Sequence, residues 1–313
     1  MEICLYVEGE EGVAWEQWLA LARACEEAGL AGLFVSDHYA SVEGRSERGS
    51  LDVWAVLAGL AAHTRRIRLG TLVSPVTYRH PSILAKTAAT VDHISRGRVE
   101  LGLGAGWYER EHLAYGFAFP GLREREGRLA EALQIVHEQW TEDMVSFHGE
   151  HWSLERCAAL FKPLQQPHPP IIVGGGGGPG SVEPAARWAD EYNVAGEPPG
   201  RYRHLRQQLD QACARHGRDP RTVRLSYMNA TLLGASEADL ERRARRVAEA
   251  RGERRELLGE IRASWAAGTP EQVVAHLEEL WSAGVQRVYL HHVLHDDLDM
   301  VALVGRTVVP ALS

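Results

Sequence analysis

Five short stretches of this 313-residue chain hold the residue types that chemistry needs. Ser36-Asp37-His38-Tyr39 sets a carboxylate beside an imidazole. Such a pair can exchange protons near neutral pH or orient a ligand, and it can equally be a helix cap or a polar loop pair. Gly70-Thr71-Leu72-Val73-Ser74-Pro75 runs on to Tyr78-Arg79-His80-Pro81, where Arg79 and His80 can reach an anion or simply face water. Gly102-Leu103-Gly104-Ala105-Gly106 lets a flat ligand approach the backbone closely, and Trp107 and Tyr108 behind it can wall a ring. The glycine run 174–178, followed by Pro179-Gly180-Ser181, is either a flexible linker or an anion cradle of bare N–H groups at a positive helix end. No Lys-Ser/Thr follows it, so it is not a Walker A loop. His291, His292 and His295 close the set; they lack a defensible carboxylate or thiol partner, and no metal site is expected.

These stretches are meaningful only if one scaffold gathers them. β-branched runs at 3–7, 32–35, 67–73, 99–103, 171–173, 192–195, 223–228 and 287–291 read as strands. Helical patterns follow them at 14–28, 51–63, 81–95, 123–140, 181–189, 201–215, 240–267, 270–282 and 298–309. The 240–267 stretch is a charged helix, and its arginines read as a solvated face. No helix is read directly behind Gly102–Gly106, which argues against a dinucleotide fingerprint. The rhythm breaks once, at about 141–168, where polar/apolar alternation around His148-Gly149 suggests a hairpin insertion with surface histidines His148 and His151. Eight strands, each followed by a helix, imply a parallel sheet with right-handed crossovers. The simplest closure is a (β/α)8 TIM barrel over residues 1–313 with an insertion between strands 4 and 5, an open doubly wound sheet being the competitor. In such a barrel all five stretches lie at the C-terminal mouth, where active sites sit.

Composition narrows the function classes. With 34 Lys+Arg and 42 Asp+Glu the formal charge is −8, which argues against a general nucleic-acid or anionic-membrane surface. No apolar run nears the ~18–20 residues of a membrane span, and the acidic N-terminal stretch is no signal peptide, so a cytoplasmic protein is expected. Cys4, Cys25, Cys157 and Cys213 are scattered, as buried thiols of a reducing compartment would be.

Several segments together resemble the bacterial luciferase-like family of flavin and deazaflavin enzymes. They are Phe34-Val35-Ser36-Asp37-His38, Arg66-Ile67-Arg68-Leu69-Gly70-Thr71 with Tyr78-Arg79-His80-Pro81, and Ala89-Thr90-Val91-Asp92-His93-Ile94-Ser95-Arg96-Gly97-Arg98 with 102–106. The strand-5 glycines with Ala189-Asp190-Glu191-Tyr192-Asn193, and Gly268-Thr269-Pro270-Glu271-Gln272-Val273, follow in the family's order. Gly104-Ala105-Gly106-Trp107-Tyr108-Glu109, with Tyr115-Gly116 and Phe119-Pro120, resembles the branch assigned to deazaflavin coenzyme F420.

The resemblance implies a tricyclic ring across the barrel mouth with its phosphate on the glycine loop. Asp37 and His38 match the pair that contacts the ring region. Thr71, Leu72, Val73 and Ser74 match a segment with a non-proline cis peptide behind the ring, Leu72-Val73 being the best match. Ala105, Gly106 and Trp107 would line the ring, and Gly174, Gly175, Gly176 and Gly177 the phosphate. His38 would orient the ring or move a proton. Trp107 stands where several relatives carry a catalytic Glu, so Tyr108, Glu109 or His112 would donate the proton instead; a relative's Asn is Arg110 here. The implied reaction is hydride transfer between coenzyme F420 and a small organic substrate that the residues do not name. The alternative is an FMN-dependent monooxygenase supplied with reduced flavin by a separate reductase; a third reading is a barrel that has lost catalysis and serves binding. A basic groove leading from 174–178 would favour the deazaflavin, whose anionic tail is longer. A homodimer is also implied.

Overall fold

A computed structural model describes residues 1–45, 47–253 and 257–312. In chain order the strands are β1 (Glu2–Val7), β2 (Gly32–Val35), β3 (Arg68–Thr71), its short continuation β4 (Ser74–Pro75), β5 (Val99–Gly104), β6 (Met144–His148), β7 (Ser153–Ala158), β8 (Ile171–Gly174), β9 (Glu191–Ala195), β10 (Arg224–Leu233), β11 (Ala266–Gly268) and β12 (Arg287–His292). The helices are α1 (Trp15–Glu27), α2 (Val53–His63), α3 (Pro81–Ser95), α4 (Glu109–Tyr115), α5 (Leu122–Thr141), α6 (Pro179–Trp188), α7 (Pro199–Arg215), α8 (Glu237–Ala250), α9 (Leu258–Ser264), α10 (Pro270–Ser282) and α11 (Leu298–Ala311).

Strands β1, β2, β3, β5, β8, β9, β10 and β12 pair in that order, all parallel, and β12 returns to β1. This is the closed (β/α)8 barrel. The turn chemistry that reads as helix starts works as such: Asp52 accepts from the N–H groups of Trp54 and Ala55 at 3.1 Å to begin α2, and Pro81 occupies the first turn of α3. The main core lies between strands and helices, with Trp18, Leu21, Leu57, Leu60 and Leu205 among its fully buried members. A smaller cluster fills the barrel interior: Cys4, Tyr6, Phe34, Leu72, Ile172 and Tyr289. Glycine at position 70 makes room for Phe34, since a Cβ there would come within 2.6 Å of its ring.

The insertion between β5 and β8 contains the antiparallel hairpin β6–β7. Glu131 of α5 holds its tip by accepting from the N–H groups of Glu150, His151 and Trp152.

Two expectations need correction. The charged stretch 240–267 is not one helix. It divides into α8, a break at Gly252 (φ +70°) and α9, then ends in β11 beside β10; its portion at 254–256 lies outside the described residues. Nor is its cationic face wholly solvated: Arg243 is buried, bonded to Asp297 at 2.9 Å and to Asp239. Second, the glycine segment after β5 does lead into a helix, the seven-residue α4 beginning at Glu109.

Candidate active site

The C-terminal ends of the strands meet at a cavity of about 490 Å³. Its wall includes Tyr6, Glu8, His38, Leu72, Val73, Gly104, Ala105, Gly106, Trp107, Glu111, Gly174, Gly175 and Gly176. Stretches distant in sequence thus converge on one space.

His38 follows β2 and is held from behind. Its Nδ1 lies 3.0 Å from Oε1 of Glu111, a buried carboxylate on α4. Glu111 also accepts from the N–H groups of Tyr39 and Ala40, and from the Tyr78 hydroxyl at 3.3 Å. One carboxylate therefore fixes both the ring and the backbone beyond it. Burial by itself would lower the imidazole pKa; the Glu111 hydrogen bond, with the charges of Glu10, Glu111 and Asp37, outweighs that and raises it to about 9. His38 is an imidazolium at neutral pH. Nε2 has no partner among the described residues, so this charge-assisted donor is available to the cavity.

Two more carboxylates stand on a 3-10 turn after β1 (Gly9–Glu11) or just before it. Burial pushes Glu8 up to about 7, helped by Glu11, and pushes Glu10 up to about 8. Glu10 accepts from Ser36 through one oxygen, and its other oxygen has no partner among the described residues.

The Leu72-Val73 peptide bond is cis and non-proline, at the position marked by the sequence. Val73 projects between β5 and β8. A Cβ on Gly104 would come within 2.6 Å of its side chain, and one on Gly174 within 3.1 Å. Glycine at these positions is what admits Val73 to the cavity's back wall.

At the far end, the loop after β8 meets the first turn of α6. The N–H of Gly175 donates to the Asn193 carbonyl at 3.0 Å, and that of Gly177 to the Tyr192 hydroxyl at 2.8 Å. The N–H groups of Gly176 and Gly178 have no partner among the described residues, and a Cβ on either would enter open space. Arg201 of α7 reaches this loop, with a guanidinium nitrogen 2.9 Å from where a Gly177 Cβ would sit. The Glu126 carboxylate lies against Gly180 on the other side.

Not every expected residue faces the cavity. Asp37 is buried behind it, accepting from Ser74 at 2.6 Å and from Arg79 at 2.8 and 3.1 Å. Arg79 is therefore engaged within the protein; it also bonds Asp52 at 2.8 Å. Thr71 bonds the carbonyl and N–H of Gly102, stitching β3 to β5. Ser74 receives the Trp54 indole N–H at 3.2 Å. Gly177 is buried in the loop. Asp37, Thr71, Ser74 and Gly177 support the wall and do not form it.

The expected proton donors also stand elsewhere. Tyr108 donates its hydroxyl to the Ser41 carbonyl at 2.9 Å, and Glu109 is exposed. His112 lines the cavity, yet both ring nitrogens are taken, by Tyr108 O at 2.8 Å and Thr77 Oγ1 at 2.6 Å. The reason is helical geometry: residues two apart point about 200° apart, so turning Glu111 inward turns Glu109 to solvent. Glu111, Glu8, Tyr6 and Arg201 were not singled out by the sequence. The one signal for Glu111 is its place in a short helical turn after a strand-end glycine segment, a turn of seven residues that periodicity does not mark.

Among the described residues no group of three or more His, Cys, Asp or Glu side chains could hold a metal ion, and no helix is long and apolar enough to cross a membrane.

The family model for luciferase-like monooxygenases matches residues 4–287. Among curated proteins, an F420-dependent glucose-6-phosphate dehydrogenase of Kineococcus radiotolerans is 37% identical over 171 residues, covering 53% of this chain and 48% of the relative. One from Nakamurella multipartita is 35% identical over 186 residues, covering 58% and 53%. The chain spans about half the length of the curated relatives it matches. Among solved structures, an F420-dependent secondary alcohol dehydrogenase superposes with a TM-score of 0.85 at 18% identity, covering 100% of this chain and 99% of the other. A monooxygenase from Streptomyces bottropensis superposes with a TM-score of 0.85 at 22% identity over the whole of both chains. These two likenesses bear on the fold.

Proposed function

This chain belongs to the luciferase-like monooxygenase family, and from that premise we propose that it is an oxidoreductase moving a hydride between deazaflavin coenzyme F420 and a small organic substrate. The observation that carries the reading is one continuous cavity with an imidazolium, His38, on its wall and a glycine loop with unpartnered N–H groups at its end.

The residues present fit such a cofactor. The space over Gly176 and Gly178, beside Arg201, suits a phosphate. Val73, seated on Gly104 and Gly174, offers a flat apolar backing for a ring, and Ala105 and Gly106 allow close approach of backbone. When bound, a deazaflavin supplies a carbon that accepts or gives a hydride.

The chain's own part is position and charge. Glu111 keeps His38 protonated and aimed, so Nε2 can donate a hydrogen bond or a proton into the cavity. Trp107, 64% exposed and edge-on to His38 at 5.6 Å, forms an apolar wall that a bound ring would cover, excluding water. With Tyr108 and Glu109 turned away, His38 is the acid that the reading assigns. A cytoplasmic, homodimeric protein belongs to the same proposal, and sedimentation tests the dimer.

The deciding experiment is titration of the purified protein with coenzyme F420 and, separately, with FMN, read by fluorescence in both redox states. Tighter binding of F420 supports the proposal. Preference for FMN replaces it with oxygen chemistry and a reductase partner, and binding of neither rejects the site.

A further inference from the structure

Trp107, Glu8, Val42, Ala195 and Met228 line the cavity described above and also a second chamber of about 620 Å³ behind it. A molecule in one touches the same side chains as a molecule in the other. The second chamber is bounded by the turn after β1, the loop after β2, the ends of β10 and β12, and the end of α8.

Its charges are unevenly committed. Arg48 donates to Glu11 at 2.7 Å, to Glu43 at 3.1 Å and to the Ala250 carbonyl at 2.9 Å. Arg251 bonds Glu43 at 3.2 Å and lies over the Trp265 ring. Asp296 is held by Arg246 at 2.8 Å. Burial, and then the charge of Arg251, drives His291 down to about 4; burial and His291 do the same to His295, so both rings are neutral near pH 7. Among the described residues the chamber therefore offers no free cation. It does offer one carboxylate to which no cation is bonded among the described residues, the charges of His38 and Arg251 reaching it only from a longer distance. Glu8, whose side chain is 20% exposed, lies 3.5 Å from the neutral ring of His291 and within ion-pair distance of no other basic side chain among the described residues. Val42, Trp107, Met228 and Leu294 supply apolar surface, with the amides of Gln17 and Asn229 also on the wall, and an aromatic face beside a carboxylate favours an organic cation.

We propose that this second chamber binds the organic substrate and that the substrate is an amine, held as its ammonium ion by Glu8 and Trp107, and not a phosphate ester. The assignment of the chamber to substrate rests on the deazaflavin reading; its preference for ammonium rests on the chamber alone.

The test is calorimetric titration of the cofactor-free protein with cyclohexylamine, cyclohexanol and glucose 6-phosphate near pH 8. The amine should bind roughly tenfold more tightly than the alcohol, as one partly buried ion pair allows, and the sugar phosphate should give no saturable heat. Glu8→Gln should bring the amine to the level of the alcohol. In the unaltered protein, lowering the pH from about 8 to about 6 should weaken the amine and spare the alcohol, because the Glu8 carboxyl protonates near 7 while the amine stays charged. The groups that set that titration are Glu11, His38, Glu43, Arg251 and His291, together with Glu10, which burial pushes up to about 8; Glu10→Gln should keep the step, whereas E8Q should abolish it. Tighter binding of the phosphate, retention of the amine preference in E8Q, or binding of none of the three overturns the proposal. An F420 titration of the same sample is scored separately: failure there with the amine preference intact removes the cofactor reading and leaves the chamber.

Discussion

The barrel contains two layers of buried carboxylates, and they are given different partners. At the bottom, near the strand N-termini, Arg287 bonds Glu100 at 2.7 Å, Glu191 at 3.0 Å and Glu2 at 2.7 Å. Arg68 adds a second guanidinium to Glu100, and the Tyr289 hydroxyl donates to Glu191 at 2.6 Å. Although burial pushes the Glu100 carboxyl up, Arg287 and Arg68 more than reverse it and hold it below the ordinary range. At the mouth, Glu8, Glu10 and Glu111 face an imidazole, with no guanidinium of the described residues bonded to any of them. There burial wins at Glu8 and Glu10, which with His38 titrate between about 7 and 9, while the His38 hydrogen bond and charge hold Glu111 below the ordinary range. The difference is one of partner. At Glu100 two guanidinium groups fix the buried charge, while at Glu191, which shares Arg287, burial still pushes the carboxyl up; at the mouth His38 holds Glu111 below the ordinary range and is itself left able to release a proton. One layer closes the barrel and the other can do chemistry.

The sharpest way to break this comparison is at Arg287. Arg287→Met leaves Glu100 and Glu191 buried beside an apolar chain and should cost about 3–5 kcal/mol in urea unfolding; a loss under about 1 kcal/mol would remove the structural role of the lower layer. At the mouth the principal effect should be on rate: His38→Gln should lower hydride transfer with any turned-over substrate about a hundredfold or more, and it should also cost some stability near neutral pH, because the raised His38 pKa favours the folded state there. Glu111→Gln should act through His38. NMR titration of the imidazole should show its pKa falling from about 9 toward the ordinary 6.5, with a rate loss of roughly tenfold, and an unmoved His38 titration would refute the coupling. The smallest effect is on thermal stability. Glu8 and Glu10 are held above the ordinary 4.5, so between about pH 4.5 and 8 the folded chain binds more protons than the unfolded one and stability falls as pH rises. His38 acts in the same direction: its contribution is whole below 6.5 and is lost as pH rises through 9. Glu10→Gln should flatten this slope and raise the melting temperature near pH 9 by a few degrees, about 2–4 °C per kcal/mol regained.

Much of the scaffold was legible because its signals are local. Alternation, helical periodicity and the punctuation of Gly and Pro mark the eight units, and each strand end then delivers its segment to one mouth. The glycine loop is legible from its own residues, a strand, a glycine run and a helix start, whereas the cis bond at Leu72-Val73 follows from the family resemblance. The stretch 240–267 misled because its charge pattern is helical while the end of α8 is marked by a lone glycine, and β11 is only three small residues, Ala266–Gly268. Likewise α4, at seven residues, is too short for periodicity to declare it.

The sequence by itself determined the succession of β/α units, the two glycine segments and the Asp37-His38 pair at a strand end. Only the tertiary structure decided which polar groups share a partner. His38 and Glu111 are 73 residues apart, and Arg287 and Glu100 are 187 apart. Nothing local to Glu109 and Glu111 says which one turns inward; packing α4 against the loop after β2 does, and in doing so it makes His38 an imidazolium. The same holds for Asp37: closure of the barrel brings Arg79 and Ser74 onto it, which turns an apparent ligand-contacting residue into a support for the wall. Pairing of buried charge is a long-range event set by strand register, and so it is invisible until the barrel has closed.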